Sequence, residues 1–523
     1  MGEIYPHPVA YLPEEISPGH YTLVPAEADL IVCESVGSYV PRNPEKTVLY
    51  GVVAGHLETF LALRRERERV VPRFVERELR AFLDCGVLAR GFLRVYCDDC
   101  RLDRFVPFSC KCRGFCPCCC GRRMADTAAH LVDRVFPEVP VRQWVLSLPF
   151  ALRYRLAYDS SLLGEVLQIF VRAVFASIRR RAGIPASDRR ARCGAVSFVQ
   201  RFGDALRLNP HFHSLVLDGI YIVNERGEVV FRHVAPPSDA EMARVADRVH
   251  RSVARLLDRK GLGPEAVPEE ADTLGQEQPL LAELYGASIS GRVATGPRAG
   301  RRVTKVGDEV DVESQALASG SCCASVAGYS IHAGVRVPAH DRVRLERLAR
   351  YAGRPPLAME RLSLLPDGRL LYRLKRRWRD GTTHVIFEPG ELVEKLAALV
   401  PPPRFNLVRY HGILAPSAAW RQLVVSEPPA CDATTHRVCP ANAGNAANAK
   451  NKGDCRPRNY SWAQLLRRVF EVDVLKCPRC GGRMRILAAI NPPAAIHKIL
   501  DCLGLPTRPP PIAAASTEGS YIS

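Results

Sequence analysis

Residues 195–223 contain two apolar runs joined by a short polar turn: Ala195–Phe202 (AVSFVQRF) and His211–Val223 (HFHSLVLDGIYIV). Runs of this length, rich in β-branched and aromatic residues, predict two β-strands. Another strand is predicted before them at Val141–Phe150 (VRQWVLSLPF), followed by an amphipathic helix at Ser161–Ala182. The chain from residue 141 onward therefore combines strands with helices.

The second run begins with the motif Asn-Pro-His-Phe-His. Residues two apart on a strand face the same side, so His211 and His213 share one face while Phe212 turns into the core. Two adjacent imidazoles make half of a site for a divalent metal, although two histidines on an exposed sheet would give the same pattern. Gln200 on the preceding strand is the candidate third ligand, and Asp204 in the turn is the alternative.

Length and charge narrow the classes of protein that fit. The 523 residues suit two to four domains. A net charge of +18 and a pI near 9.3 indicate a polyanionic partner, nucleic acid first and an anionic membrane second. No run approaches the 18 or so apolar residues of a membrane span, and the charged N-terminus lacks a signal-peptide core. An integral membrane protein is therefore excluded.

Arginine-rich runs are the candidate phosphate contacts. The alternative for each run is a solvated basic surface. The candidates are Arg179, Arg180 and Arg181, then Arg189–Arg192, and then Arg373–Arg379 (RLKRRWR), which contains Arg376 and Arg377.

A cleanly bounded helix is predicted over residues 341–352. Asp341 is a plausible N-cap, and Pro355-Pro356 prevents the helix from continuing. With Leu345, Leu348, Ala349 and Ala352 as the buried stripe, Tyr351 lies on the flank of the helix, where its hydroxyl can reach an open cleft. Arg347 and Arg350 on the same helix could hold phosphates. A tyrosine on a helix flank is, however, most often a packing residue.

Eight of the 19 cysteines fall within 24 residues: Cys97, Cys100, Cys110, Cys112, Cys116, Cys118, Cys119 and Cys120. Clustered cysteines in a chain without an export signal indicate a metal site in a reducing cytoplasm. Two C-x-x-C pairs close one structural zinc site, so Cys97, Cys100, Cys116 and Cys119 are the predicted ligands, with Cys110 among the cysteines that could compete or bind a second ion.

A third C-x-x-C pair, Cys477 and Cys480, lies far along the chain. Its candidate partners are Cys455 and Cys502. The pair is either part of a zinc ribbon, and so an additional zinc site, or a helix-capping turn.

The predicted organisation has seven parts. They are a weakly structured leader (1–55), a helical and zinc-binding module (56–140), a core domain of strands and helices (141–400) with an irregular insertion at about 262–325, the end of the core (401–429), a flexible linker (430–456), a small C-terminal segment (457–505) and a disordered tail (506–523).

The motifs NPHFHSLVLDG, YSIHAGVRVPAHDRVRLERLARYAGRPPLAMERL and FNLVRYHGILAP together resemble the rolling-circle insertion-sequence transposases, the HUH enzymes of the ISCR and IS-ninety-one type. FSCKCRGFCPCCCGRRM followed by VRQWVLSLPF is similar to their N-terminal zinc-binding domain. YSWAQLLRRVFEVDVLKCPRCGGRM is similar to their C-terminal end. The likeness covers roughly residues 80–505.

The resemblance implies an α+β fold, in which a small Cys-rich zinc-binding module precedes an antiparallel-sheet HUH nuclease core with helices on one face and the histidine pair on a central strand. It implies Mg²⁺ or Mn²⁺ on His211, His213 and Gln200, and a nucleophilic role for Tyr351. Some relatives have two tyrosines four residues apart. Here Arg347 lies four residues before Tyr351, so the chain resembles the single-tyrosine branch.

The implied activity is nicking of single-stranded DNA at transposon termini through a 5′-phosphotyrosine, followed by strand transfer. No G-x-x-x-x-G-K-[ST] loop is present, so a host helicase or the replication machinery would supply single strands. The implied setting is the bacterial cytoplasm, with the protein held at the nucleoid through DNA. Two alternatives are a non-catalytic zinc-dependent DNA-binding protein and a plasmid replication-initiator relaxase.

Overall fold

The computed structural model describes residues 43–66, 68–263, 272–307, 322–425 and 460–516. Its α-helices are α1 (Val48–Arg65), α2 (Arg73–Asp84), α3 (Pro117–Arg134), α4 (Phe150–Tyr158), α5 (Ser160–Arg181), α6 (Asp239–Arg259), α7 (Thr273–Glu277), α8 (Pro279–Ser290), α9 (Arg342–Ala352), α10 (Pro389–Leu399), α11 (Arg421–Val424), α12 (Trp462–Phe470) and α13 (Pro493–Cys502).

Its strands form antiparallel sheets, which confirms the α+β class. They are β1 (Phe92–Cys97), β2 (Asp103–Pro107), β3 (Val141–Ser147), β4 (Ala191–Arg192), β5 (Gly194–Phe202), β6 (Leu208–Leu217), β7 (Gly219–Val223), β8 (Val229–His233), β9 (Thr304–Gly307), β10 (Cys323–Val326), β11 (Tyr329–His332), β12 (Arg336–Val337), β13 (Leu362–Leu364), β14 (Leu370–Arg373), β15 (Thr382–Phe387), β16 (Val408–Gly412) and β17 (Met484–Ile490).

The largest sheet has the strand order β10-β11-β3-β6-β5-β16, with β12 pairing the end of β3. All of its pairs are antiparallel. β6 is hydrogen-bonded on both sides, to β3 and to β5. The strand that carries the histidine pair is therefore central, as expected.

One face of this sheet packs against α5 and α6. Phe212 points to that side and stacks on Phe170 of α5, with ring centroids 6.5 Å apart. Burying a phenylalanine side chain contributes roughly 1.5–3 kcal/mol to stability. The alternation of β6 therefore turns both histidines to the opposite face.

The opposite face is covered as well, which differs from the expectation of helices on one face only. Leu215 and Leu217 of β6 pack with Ala128 and Leu131 of α3, and with Leu345 among the buried residues of α9. Arg342 at the start of α9 donates to the main-chain carbonyls of Val132 in the last turn of α3 and of Phe136 and Pro137 just after it. The tyrosine-bearing helix is therefore held against the sheet by a helix of the zinc-binding module.

The predicted borders shift at three places. α1 begins at Val48, inside the expected leader, and the helical pattern after residue 56 divides into α1 and α2 at Pro72. Within the expected irregular insertion, α8 buries Leu280, Leu284 and Tyr285. Its less buried side consists mainly of Ala, Gly and Ser residues, so the contrast between the two sides of the helix is small and the sequence periodicity is weak. The expected linker, and the leader up to residue 42, lie outside the described residues.

Among the described residues, α5 (Ser160–Arg181) is the helix whose length and composition would allow it to cross a membrane. Its apolar window is 61% buried, and the buried side chains form the core with the sheet and α6. Core packing explains its composition.

Candidate active site and cysteine clusters

His211 and His213 point to the same side of β6, and their Nε2 atoms are 3.1 Å apart. The Nδ1–H of His211 donates to the carbonyl oxygen of Asn209 at 2.8 Å, which leaves its Nε2 with a free lone pair. Burial lowers the pKa of His211 to about 4. Burial also lowers the pKa of His213 well below its usual value, and the nearby His211 lowers it further. Both rings are therefore neutral at pH 7, the form that binds a metal.

Gln200 lies directly opposite His211 on β5, so the two side chains share a face. Its Nε2 donates to the carbonyl oxygens of Tyr351, at 3.2 Å, and Ala352, at 2.7 Å. Carbonyls only accept, so the orientation of the amide is fixed. Its Oε1 is buried and has no hydrogen-bond partner among the described residues.

This donor set fits Mg²⁺ or Mn²⁺. Neighbouring ligands of an octahedral ion at 2.0–2.1 Å lie about 3 Å apart, close to the separation of the two Nε2 atoms. An unpartnered amide oxygen is a ligand that such ions accept. Asp204, the alternative ligand, is exposed in the turn after β5. The residues present therefore favour Gln200.

Tyr351 lies on the flank of α9 as predicted, and Asp341 caps the helix through the main-chain N–H of Arg344. The Tyr351 ring meets the His213 ring edge to face, with centroids 5.9 Å apart. The guanidinium of Arg354 and the ammonium of Lys375 lie 4.4 and 4.5 Å from its centroid. Burial alone would raise the pKa of Tyr351, but the charges of Arg354 and Lys375 outweigh it and lower that pKa below its usual value.

The cysteines form two four-sulfur clusters among the described residues, and neither is the predicted set. The first cluster is Cys85, Cys110, Cys116 and Cys119, and the second is Cys97, Cys100, Cys477 and Cys480. The predicted Cys97–Cys100 and Cys116–Cys119 pairs therefore do not share one ion. Each pair is completed by cysteines that lie elsewhere in the sequence. Of the candidate partners for Cys477 and Cys480, Cys502 is exposed on α13 and outside the cluster, and Cys455 lies outside the described residues.

The first cluster joins the end of α2 to the start of α3. Cys85 lies 3.7 Å from both Cys116 and Cys119, and Cys110 lies 3.4 Å from Cys119, measured between sulfurs. The main-chain N–H of Lys111 donates to the Cys119 sulfur at 3.2 Å. Sulfurs at these distances can share one tetrahedral zinc.

The three arginines at the end of α5 form ion pairs and hydrogen bonds with other parts of the protein. Arg180 forms an ion pair with the buried Glu241, and Arg181 donates to the carbonyl of Ala235. Arg179 holds the following turn together by donating to the carbonyls of Pro185, Asp188 and Ala191. All three make contacts within the protein, although the Arg180 side chain is still 50% exposed. Their contact with DNA stays a prediction.

Four further predicted arginines are on the helix of Tyr351 or in the basic run 373–379. Arg347, Arg376 and Arg377 are exposed. Arg350 is half-buried and pairs with Glu346 at 4.0 Å. The charge of Arg376 is among those that lower the pKa of Tyr351, so Arg376 lies on the same side of the protein as that tyrosine. Their contact with DNA stays a prediction.

Four residues were missed by reasoning from the sequence: Gln143, Arg354, Lys375 and Cys85. Gln143 on β3 has its amide nitrogen 2.9 Å from Nδ1 of His213. Lys375 falls in the basic run 373–379, which was predicted to contact phosphates. The sequence did not predict that Lys375 contacts the Tyr351 ring. Nothing in the spacing around Cys85 or Arg354 marks them.

Comparison with known proteins agrees with this architecture. Residues 53–148 match a family model described as a transposase zinc-binding domain, and residues 194–421 match one described as a putative transposase. The transposase for insertion sequence element IS801 of Pseudomonas savastanoi pv. phaseolicola is 21% identical over 416 residues, which cover 78% of this chain and 82% of that protein. No solved structure matches the chain.

A zinc-binding domain followed by a transposase domain defines a DNA-processing transposase. The chain is similar to the insertion-sequence transposases of the IS-ninety-one type in both of these domains. The matched zinc-binding domain and the cysteine clusters together support structural Zn²⁺.

Proposed function

We propose that this transposase nicks single-stranded DNA at the ends of its element by attack of Tyr351 on a phosphodiester, and then transfers the strand in rolling-circle transposition. The observation that carries the proposal is the contact between Tyr351 and His213, whose Nε2 faces that of His211. A nucleophile and a metal half-site are thus adjacent on one buried face.

In the proposed reaction the phenolic oxygen of Tyr351 forms a bond to phosphorus, and the bond from phosphorus to the 3′ oxygen breaks. The phenol loses its proton to solvent, and the 3′ oxygen leaves as a hydroxyl after gaining one. The resulting 5′-phosphotyrosine conserves the energy of the broken bond for strand transfer. Arg354 and Lys375 favour the phenolate, which is the nucleophilic form.

His211, His213 and Gln200 would hold the Mg²⁺ or Mn²⁺ ion. Such an ion supplies Lewis-acid stabilisation of the charge on the scissile phosphate. The hydrogen bonds of Gln200 to Tyr351 and Ala352 support the proposal, because they keep the metal-binding strand and the nucleophile's helix in one geometry.

The substrate in this proposal is single-stranded DNA at the transposon termini. Exposed Arg347, Arg376 and Arg377 near Tyr351 are suited to its phosphates. A host helicase or replication complex would provide the single strands, and the enzyme would act in the bacterial cytoplasm, at the nucleoid.

The test is a covalent-adduct assay with Mg²⁺ and oligonucleotides from the ends of the element. Wild type should give an SDS-stable adduct and a free 3′-hydroxyl, and Tyr351→Phe should give neither. Tyr410→Phe, a half-buried tyrosine on β16, is the matched control and should retain both. An undiminished adduct in Tyr351→Phe would contradict the proposal. DNA binding without any adduct in wild type would favour the non-catalytic alternative.

A further inference from the structure

The second cysteine cluster joins two parts of the chain that are about 380 residues apart in sequence. The Cys97 sulfur lies 3.5 Å from that of Cys480, and the Cys100 sulfur lies 3.4 Å from that of Cys477. Zinc with four sulfurs at 2.3 Å places them about 3.8 Å apart. All four are free cysteines, and their separation suits a shared ion.

The two halves of the cluster have the same local structure. The main-chain N–H of Cys97 donates to the carbonyl of Leu102, and that of Cys477 donates to the carbonyl of Gly482, five residues onward in each case. The residue after the second cysteine is left-handed in both, Arg101 with φ 58° and Gly481 with φ 76°. A non-glycine residue such as Arg101 is uncommon in this conformation. The shared hydrogen bond and the shared left-handed residue indicate two matching zinc knuckles.

The strands beside the knuckles pair with each other. β17 adds to the edge of β1 with Cys97 opposite Met484 and Phe92 opposite Ile490. Arg485 reaches across this sheet to make a two-pronged ion pair with Asp98, at 2.6 and 2.9 Å. The N-terminal and C-terminal knuckles are therefore fixed in one small antiparallel sheet.

The described C-terminal segment, residues 460–516, has little core of its own. Its buried apolar residues in the core clusters pack with residues of the zinc-binding module: Cys477 and Met484 with Val95 and Cys97, Ile496 and Leu500 with Phe92, and Leu465 with Ala125 and Ala129. A piece of this size with so little apolar burial usually needs a metal or a partner surface to fold.

We propose that Cys97, Cys100, Cys477 and Cys480 bind one Zn²⁺ ion that clamps residues 460–516 onto the zinc-binding module. Cys477 and Cys480 lie outside both matched family regions, 53–148 and 194–421, so neither match assigns them. The inference concerns metal binding and assembly, and it stands apart from the proposed nicking reaction.

The clamp extends toward the nucleophile's helix. Arg468 of the C-terminal segment forms ion pairs with Asp133 of α3, at 2.6 Å, and with Glu346 of α9, at 2.7 Å. Glu346 lies five residues before Tyr351. The zinc clamp thus holds a segment that braces α9 from outside the catalytic domain.

The zinc content of the full chain is the first test. Cys477→Ser/Cys480→Ser should contain about one zinc ion fewer per chain than wild type. Cys502→Ser, an exposed cysteine of the same segment, is the matched control and should lose none. Cys480→His should retain the ion, because histidine replaces cysteine as a ligand in structural zinc sites. An unchanged zinc content in the double serine variant would overturn the proposal.

Assembly is tested by cutting the chain. A specific protease site is inserted between residues 440 and 450, and the cleaved protein is passed over a size-exclusion column. The C-terminal fragment should co-elute with the rest of wild type and separate from it in Cys477→Ser/Cys480→Ser or after zinc chelation. Separation from zinc-loaded wild type, or co-elution in the double variant, would overturn the clamp. Neither readout depends on DNA cleavage.

Discussion

The side-chain amide of Gln200 on β5 donates a 3.2 Å hydrogen bond to the main-chain carbonyl of Tyr351 near the end of α9. The last carbonyls of a helix have no partner within it, and Gln200 satisfies two of them, since it also bonds to Ala352. The same side chain lies opposite His211 in the sheet. One buried residue therefore links the end of the Tyr351 helix to the strand that carries the histidine pair.

Two substitutions of Gln200 should separate its two roles. Gln200→Leu removes both the oxygen and the amide donor, and the Mg²⁺ concentration for half-maximal nicking should rise at least about tenfold. Gln200→Glu keeps an oxygen but cannot donate to the two carbonyls, so kcat should fall while the Mg²⁺ dependence stays near that of wild type. Metal titrations of the nicking rate measure both. The same half-maximal Mg²⁺ concentration in Gln200→Leu and wild type would exclude it as a ligand.

Arg354→Gln should move the pH dependence of nicking. The charge of Arg354 lowers the pKa of Tyr351, so its removal raises that pKa and leaves less phenolate at a given pH. The rising limb of the rate profile should shift to higher pH, with the loss largest near neutrality. Arg344→Gln, at the far end of α9, is the control and should keep the wild-type profile. A uniform loss at every pH would mean that Arg354 does not act through Tyr351.

The parts of the site that could be predicted from sequence are those that local geometry determines. Strand alternation places His211 and His213 on one face, and an N-cap and a proline pair bound the helix of Tyr351. The cysteine pairing could not be predicted in this way. A C-x-x-C knuckle specifies half of a zinc site, and which halves meet depends on the distant pairing of β1 with β17. Cys85 is not part of a C-x-x-C pair, so its sequence position does not show that it joins Cys110, Cys116 and Cys119.

The packing of α3 and α9 on the second face of the large sheet could not be predicted from the sequence patterns either. The apolar stripes of α3 and α9 show that each helix packs on something, but not that they pack on the same sheet face and on each other. That contact is tertiary, and it places Tyr351 beside the histidines.

Gln143 should act as a positioning residue for His213. When Nε2 of His213 binds a metal, its Nδ1 carries the proton. The Gln143 amide nitrogen is 2.9 Å from that Nδ1 in the structure, and turning the amide over would place its oxygen there to accept the proton. Gln143→Leu should weaken metal activation by roughly 10- to 100-fold, whereas Gln143→Glu should retain it. Metal-dependence curves at saturating DNA distinguish the two. Because a purely structural role would also lower thermal stability, Tm is measured in parallel and should change little in Gln143→Glu.

Asp218 lies outside the candidate active site, and its substitution should strongly lower the stability of the fold. Its carboxylate, 4% exposed, accepts two hydrogen bonds from the equally buried Arg142, at 2.8 and 3.0 Å, and one from Arg336, at 3.0 Å. It therefore fastens the β6–β7 junction to β3 and β12. Asp218→Ala leaves Arg142 buried without its counter-ion and should lower the free energy of unfolding by about 3–5 kcal/mol.

The control is Asp247→Ala, which breaks an exposed pair with Arg251 on α6. It should change the free energy of unfolding little, because exposed pairs contribute about 0–1 kcal/mol. Urea unfolding followed by tryptophan fluorescence reports both, since Trp144 is buried on β3, the strand that carries Arg142. Equal stability of the two variants would show that the Arg142–Asp218 pair is not required to hold the sheet together.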